Sequence, residues 1–151
     1  MLLNTVKSSS LKGSFKSINI TSLYHVLSGK TLSEGMREEL AEKIRSIKLQ
    51  HPEFNPKLKI LQVGSRSDSS TYVKAKLSAS TKSGVSCDVE KLPEDINEIE
   101  LLSRIEKFNN DDSIHGILIQ LPLPKHLDET LITNSVLAKK DVDGFHRYNV
   151  G

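Results

Sequence analysis

Leu32, Met36, Leu40, Ile44 and Ile47 recur at three- and four-residue steps, the period of one buried helix face. Thr31 and Glu34 form a capping-box pattern ahead of them, so a first helix is expected from Thr31, closed by Pro52 and Pro56. Lys57 to Val63 then reads as a strand, with Leu58, Ile60, Leu61 and Val63 apolar and Gly64 at its end. Asp68 or Ser69 is placed to cap a second helix running to about Ser83, with Gly84 as its stop. Val85, Cys87 and Val89 alternate as a second strand. Asn97 opens a third helix carrying Ile99, Leu102, Ile105 and Phe108, and Ile114 to Gln120 is apolar on both faces, as a central parallel strand requires. A fourth helix is expected from Asp128 to about Leu137. Strands alternating with helices at these spacings predict a three-layer α/β domain, a parallel sheet flanked by helices.

Composition narrows the class. A chain of 151 residues with 26% charged and 36% hydrophobic residues suits one soluble domain burying about two-thirds of its unfolded surface. No apolar run approaches the ~18 residues of a membrane span, so no membrane role is expected. The single cysteine, Cys87, excludes an internal disulfide and fits a reducing compartment. No acidic residue precedes Glu34, whereas Lys7, Lys12, Lys16 and Lys30 lie among serines. Setting those four aside leaves 17 basic against 19 acidic residues, so the body carries no basic excess and nucleic-acid binding is not expected. A basic, Ser-rich, acid-free leader is the composition of a mitochondrial transit peptide. Residues 1–23 are assigned to it or to a disordered tail, and 24–151 to the folded domain. The localisation expected is therefore mitochondrial, with the cytoplasm as the alternative.

Topology gathers the candidate chemistry. In open α/β sheets the ligand crevice lies beyond the carboxyl ends of the strands. Tyr72 and Lys76 fall in the first turns of the helix after the first strand, and Gln120 ends the third. Four residues make slightly more than one turn, so the phenol and the ammonium project from neighbouring points of one face, roughly 6 Å apart at Cβ. Each residue alone has an ordinary reading: a solvated helix lysine, a tyrosine at the core edge, a strand-ending glutamine. Asp143, beside Gly144, has the composition of a solvated turn. Periodicity does not choose Lys76 over Lys74, although Lys76 shares its side with Tyr72. The Tyr-to-Lys spacing also occurs in short-chain dehydrogenases, but the turn Val63-Gly64-Ser65-Arg66-Ser67-Asp68 has no G-x-G-x-x-G pattern, and that reading is rejected. His25, His51, His115, His126 and His146 show no metal-ligand spacing with one another or with Cys87, so no metal is expected.

Three segments in order carry a resemblance: Tyr72-Val73-Lys74-Ala75-Lys76, Gln120-Leu121-Pro122-Leu123-Pro124 and Lys140-Asp141-Val142-Asp143-Gly144-Phe145. Together they resemble the catalytic domain of the methylenetetrahydrofolate dehydrogenase/methenyltetrahydrofolate cyclohydrolase family, most of all the amino-terminal part of fungal mitochondrial trifunctional one-carbon-tetrahydrofolate synthases. The resemblance implies interconversion of methylene-, methenyl- and formyl-tetrahydrofolate with NADP as cofactor, and homodimeric full-length relatives. It implies Lys76 as general acid/base, Tyr72 lining the site over the folate ring system, and Gln120 hydrogen-bonding near the lysine. It also implies Asp143 binding the pterin edge and Ser69 lining the site. Free lysine titrates near ~10.4, so a cationic methenyl substrate beside it is the expected means of favouring its neutral form. The family continues into a second, Rossmann-type domain that binds the cofactor, which this chain is expected to lack, so no cofactor-binding residue is assigned here. The alternative is an inactive truncated fragment acting at most as a folate-binding or interaction module.

Overall fold

The computed structural model describes residues 28–151, and the leader assigned to residues 1–23 lies outside them. The elements are α1 (Gly29–Gln50), β1 (Lys57–Val63), α2 (Ser67–Ser83), β2 (Ser86–Leu92), α3 (Glu98–Asn109), β3 (Gly116–Gln120) and α4 (Glu129–Ser135). The three strands form one parallel sheet in the order β2-β1-β3. This is the three-layer α/β architecture that the alternation of periods predicts.

Each strand face has its own core because successive side chains point to opposite faces. Leu61, Val63, Ile117 and Ile119 join Leu101 and Ile105 of α3 and Ile132 of α4 in the larger cluster. Ile60 and Leu118 meet Val73 of α2 in the smaller one, flanked by Leu58 and Leu77. The third strand is not the central strand that its apolar run suggests: β1 is central and β3 lies at the edge, although β3 is buried at every position. Asn97 accepts from the Glu100 N–H and Asp128 from the Thr130 and Leu131 N–H groups, each cap contributing about 1 kcal/mol.

Several local expectations are corrected. The α1 cap is Ser28, whose hydroxyl accepts from the Thr31 N–H, and the helix already runs from Gly29. Within its apolar stripe only Ile44 is buried, while Leu32, Met36, Leu40 and Ile47 are exposed. The stripe is amphipathic, and α1 packs along α2 with Ile44 against Gly84. Arg66 rather than Asp68 or Ser69 occupies the α2 cap position, without a side-chain bond. On α3 the buried residues are Leu101 and Ile105, and Ile99 is exposed. The third strand and fourth helix are shorter than expected, beginning at Gly116 and ending at Ser135.

The segment after α4 returns along β3. The Ile117 N–H donates to Lys140 O at 2.7 Å, and Ile117 and Asp141 form a parallel bridge on the sheet edge. Gly116 makes that approach possible: a Cβ there would lie 2.7 Å from Val142 Cγ1 and 3.4 Å from Leu58 Cδ1. Lys140 is buried and donates to the Phe108 and Asp111 carbonyls at 3.0 and 2.8 Å. It ties the returning strap to the carboxyl end of α3, where a cation offsets the helix dipole.

Candidate functional site

Three elements bring Lys76, Gln120 and Asp143 to one rim. Gln120 ends β3 on the face that packs under α2, because it stands two and four residues after Leu118 and Gly116 in the same register set. Lys76 lies two turns into α2, and its ammonium donates to Gln120 Oε1 at 3.2 Å. The strap then carries Asp143 alongside the carboxyl-terminal part of β3, where Asp143 Oδ2 lies 3.9 Å from Lys76 Nζ. At that distance the pair interacts by charge rather than by a hydrogen bond. Both side chains are about one-third exposed or less, 34% and 28%. Lys74, on the other flank of α2, is exposed to solvent.

The carboxylates of the strap have opposite electrostatics. Burial pushes the Asp143 pKa up, Lys76 opposes that rise, and the charge of Asp141 adds to it. Asp141 is also penalised by burial, but bonds from Asn149 and from the His146, Gly144 and Phe145 N–H groups outweigh it and hold its pKa below the ordinary carboxylate value. Those bonds measure 3.0 Å from Asn149 Nδ2, 2.9 Å from the His146 N–H and 3.1 Å from the Gly144 N–H. Gly144 adopts φ 73°, the left-handed geometry that this turn requires. Asp141 therefore shapes the turn on which Asp143 is carried.

The remaining expected residues occupy different surroundings. Tyr72 is 64% exposed, one turn before Lys76, with its ring at the surface. Ser69 is buried in the first turn of α2, where its N–H donates to Asp68 at 2.8 Å. Gln120 Nε2 donates to Leu121 O at 2.8 Å, and the Leu121–Pro122 peptide bond is cis. A cleft of about 700 Å³ opens beyond the strand ends and is lined by Val63, Gly64, Arg66, Glu94, Pro122 and His126. Lys76, Tyr72 and Asp143 do not line it.

The nicotinamide cofactor does not fit this domain. The turn after β1 has no glycine pair to let a backbone approach a pyrophosphate. Asp68 opens α2, with its pKa lowered to about 2 by the Arg66 hydrogen bond above all. It is an anion at the helix terminus that a phosphate would need. Among the described residues no group of three or more His, Cys, Asp or Glu side chains is arranged to hold a metal ion.

Sequence reasoning missed Asp141, Lys140 and Gln62. The first two were quoted only as part of a motif, and the partners that give them a role lie 3 to 32 residues away. Gln62 had a readable signal, a polar residue set between Leu61 and Val63 in the apolar half of its strand.

The tetrahydrofolate dehydrogenase/cyclohydrolase catalytic-domain family matches residues 27–143. The mitochondrial C-1-tetrahydrofolate synthase of Saccharomyces cerevisiae is 63% identical over 130 residues, 86% of this chain and 13% of that protein. The cytoplasmic C-1-tetrahydrofolate synthase of Schizosaccharomyces pombe is 50% identical over 83% of the chain and 13% of its own length, so similar relatives occur in both compartments. The crystal structure of the bifunctional methylenetetrahydrofolate dehydrogenase/cyclohydrolase FolD from Campylobacter jejuni superposes with a TM-score of 0.77 at 46% identity, covering 82% of this chain and 43% of that one. The chain thus spans less than half the length of each of these relatives. With the motif segments, the parallel sheet and a family match across most of its length, the chain belongs to the tetrahydrofolate dehydrogenase/cyclohydrolase family, as its catalytic domain.

Proposed function

We propose that this domain binds a reduced folate across the Lys76–Gln120–Asp143 rim and supplies the proton transfers that convert methenyl- to formyl-tetrahydrofolate. The observation that carries the reading is the Lys76 ammonium held 3.2 Å from Gln120 Oε1 and 3.9 Å from Asp143 Oδ2. One ammonium thereby has a neutral acceptor on one side and an anion on the other.

The methenyl carbon of the substrate is cationic and already electrophilic, so the protein's task is to place a water and move a proton. A cationic ligand beside Lys76 disfavours a second positive charge there. The neutral amine takes a proton from the attacking water as its oxygen bonds to the methenyl carbon. The same group then returns that proton to the ring nitrogen as the C–N bond breaks, while the remaining hydroxyl proton of the adduct leaves to solvent as the C=O bond forms, leaving the carbon as a formyl group. Gln120 holds the amine in place through its carbonyl oxygen. Asp143 accepts from the donor-rich pterin edge, and the exposed ring of Tyr72 offers a flat face for the folate. Ser69 supports this surface from beneath.

Oxidation of methylenetetrahydrofolate draws on a nicotinamide cofactor, NADP in this reading, which supplies hydride acceptance when bound. Because this domain offers no phosphate cradle for it, we assign that step to full-length members of the family, read as homodimers, in which a domain of this kind supplies the folate site. Titration with tetrahydrofolate tests the site: Asp143→Ala should weaken binding by the loss of a charge-assisted acceptor, about 1.5–3 kcal/mol or more than tenfold. Superimposable titration curves for the two proteins would remove Asp143 from the site. The basic leader supports mitochondrial targeting, and a reporter fused to residues 1–23 that stayed in the cytosol would refute it.

A further inference from the structure

Gln62 is 1% exposed, and its Oε1 is the one buried side-chain polar atom among the described residues without a hydrogen-bond partner. Buried acceptors are almost always satisfied, so an orphan calls for a physical reason. Its other end is occupied: Gln62 Nε2 donates to Ser70 Oγ of α2 at 3.1 Å.

The sheet register supplies the reason. Gln62 of β1 and Gln120 of β3 are direct partners in the parallel ladder. Partnered residues of neighbouring strands stand side by side on the same face, about 4.8 Å apart. Both face α2, Gln62 through Ser70 and Gln120 through Lys76. The Gln120 amide has two N–H hydrogens, and one of them serves Leu121 O. The other is a donor next to an unpaired acceptor. On the opposite strand the register partner of Gln62 is Lys91, which is exposed, so meeting Gln62 Oε1 would draw its ammonium out of water into a fully buried position. Reversing the Gln62 amide would turn its NH2 toward the NH2 of Gln120, donor against donor.

We propose that Gln62 is a positioning residue of the site: its Oε1 accepts the second Gln120 Nε2 hydrogen, completing a chain Lys76 Nζ to Gln120 to Gln62 to Ser70. The two ends of this chain are observed, and the central link joins the unpaired Gln62 Oε1 to the neighbouring Gln120 amide. Its consequence is to fix the Gln120 amide with the oxygen, not the NH2, toward Lys76. A free amide can rotate by half a turn and present a donor to the ammonium, which would expel the lysine from the rim. Gln62 thereby controls the lysine without touching it. The inference builds on the reading of Lys76 and Gln120 as a folate site only for its effect on turnover, and the readouts below need no folate.

The test uses the full 151-residue chain without ligand. Solvent exchange of the Gln120 side-chain amide protons is followed by NMR, and the reactivity of individual lysines by trace acetylation with mass spectrometry. Gln62→Met keeps the bulk and removes the acceptor. It should speed Gln120 amide exchange at least tenfold and raise Lys76 acetylation at least threefold, with Lys74 unchanged as the internal standard. In a Gln120→Met background, Gln62→Met should have no further effect on Lys76. Gln62→Glu, whose neutral acid form accepts from Gln120 and donates to Ser70, should keep exchange slow, and it serves also if the Met variant folds poorly. Unchanged Gln120 exchange in Gln62→Met would overturn the link. An equal Lys76 response with and without Gln120 would overturn the positioning role. Either failure is independent of whether the domain binds tetrahydrofolate.

Discussion

Removing the Asp141 carboxylate should loosen the strap and with it the site. Asp141→Ala takes an acceptor from the Gly144 N–H, the His146 N–H and Asn149 Nδ2. A bond to a charged group contributes about 1.5–3 kcal/mol when buried, but much less where water can replace it. Asn149 is exposed and also donates to Ala138 O at 2.8 Å, so its share is close to zero. His146 is buried and Gly144 half-buried, and their two N–H groups set the cost at about 2 kcal/mol. For a body of this size that lowers Tm by roughly 8 °C. Asp141→Asn keeps one acceptor oxygen and should lose about half as much. The pH dependence has a definite sign. Asp141 has its pKa depressed in the folded state, so its stabilisation is present above the unfolded value of about 3.9 and is lost as pH falls through the lower folded value. Urea unfolding of wild type and Asp141→Ala between pH 3 and pH 7 reads both effects, with the gap widest at neutral pH and closing in acid. A gap below ~0.5 kcal/mol at pH 7, or one that does not change with pH, would refute the strap as described.

Gly116→Ala should cost about 1–3 kcal/mol by overpacking, because the new Cβ meets Val142 Cγ1 at 2.7 Å. It should weaken tetrahydrofolate binding more than its stability loss explains, since the displaced segment carries Asp143. Normal binding in a folded Gly116→Ala protein would show that Asp143 does not depend on that approach. Asp143→Asn should stabilise the ligand-free protein at neutral pH: its pKa is raised in the folded state, chiefly by burial, so its charge disfavours folding once pH exceeds the unfolded value. A fall in the urea midpoint of that variant at pH 7 would contradict the electrostatics assigned to the rim.

The layer order was legible because each strand and helix carries its own period, but the apolar run of β3 pointed to a central strand, whereas β1 is central and β3 lies at the edge, buried there with the returning strap alongside it. The failures have physical causes. Period alone shows that α1 is amphipathic, not that its stripe is covered, and only Ile44 is buried there. Thr31 and Glu34 satisfy a capping pattern, yet Ser28 provides the acceptor, because sequence fixes a cap only to within a turn. Lys76 and Gln120 were placed on one rim by topology, and the choice of Lys76 over Lys74 follows from which flank of α2 overhangs Gln120. Asp143 was different. Nothing local distinguishes it from a solvated turn residue, and its approach to Lys76 depends on Gly116, Lys140 and Asp141 acting across the sheet edge. Such long-range support leaves no periodic trace.

The central claim, that Lys76 moves the proton in methenyltetrahydrofolate hydrolysis, is tested most directly with residues 28–151 grafted in place of the matching segment of a FolD-type enzyme. Lys76→Met preserves much of the stem and removes the amine, and Lys74→Met is its neighbour on the exposed flank. The account predicts that hydrolysis falls at least ~100-fold in Lys76→Met, the usual loss for a general acid/base, while Lys74→Met stays near the parent rate. Hydrolysis preserved in Lys76→Met, or lost in Lys74→Met instead, would contradict it.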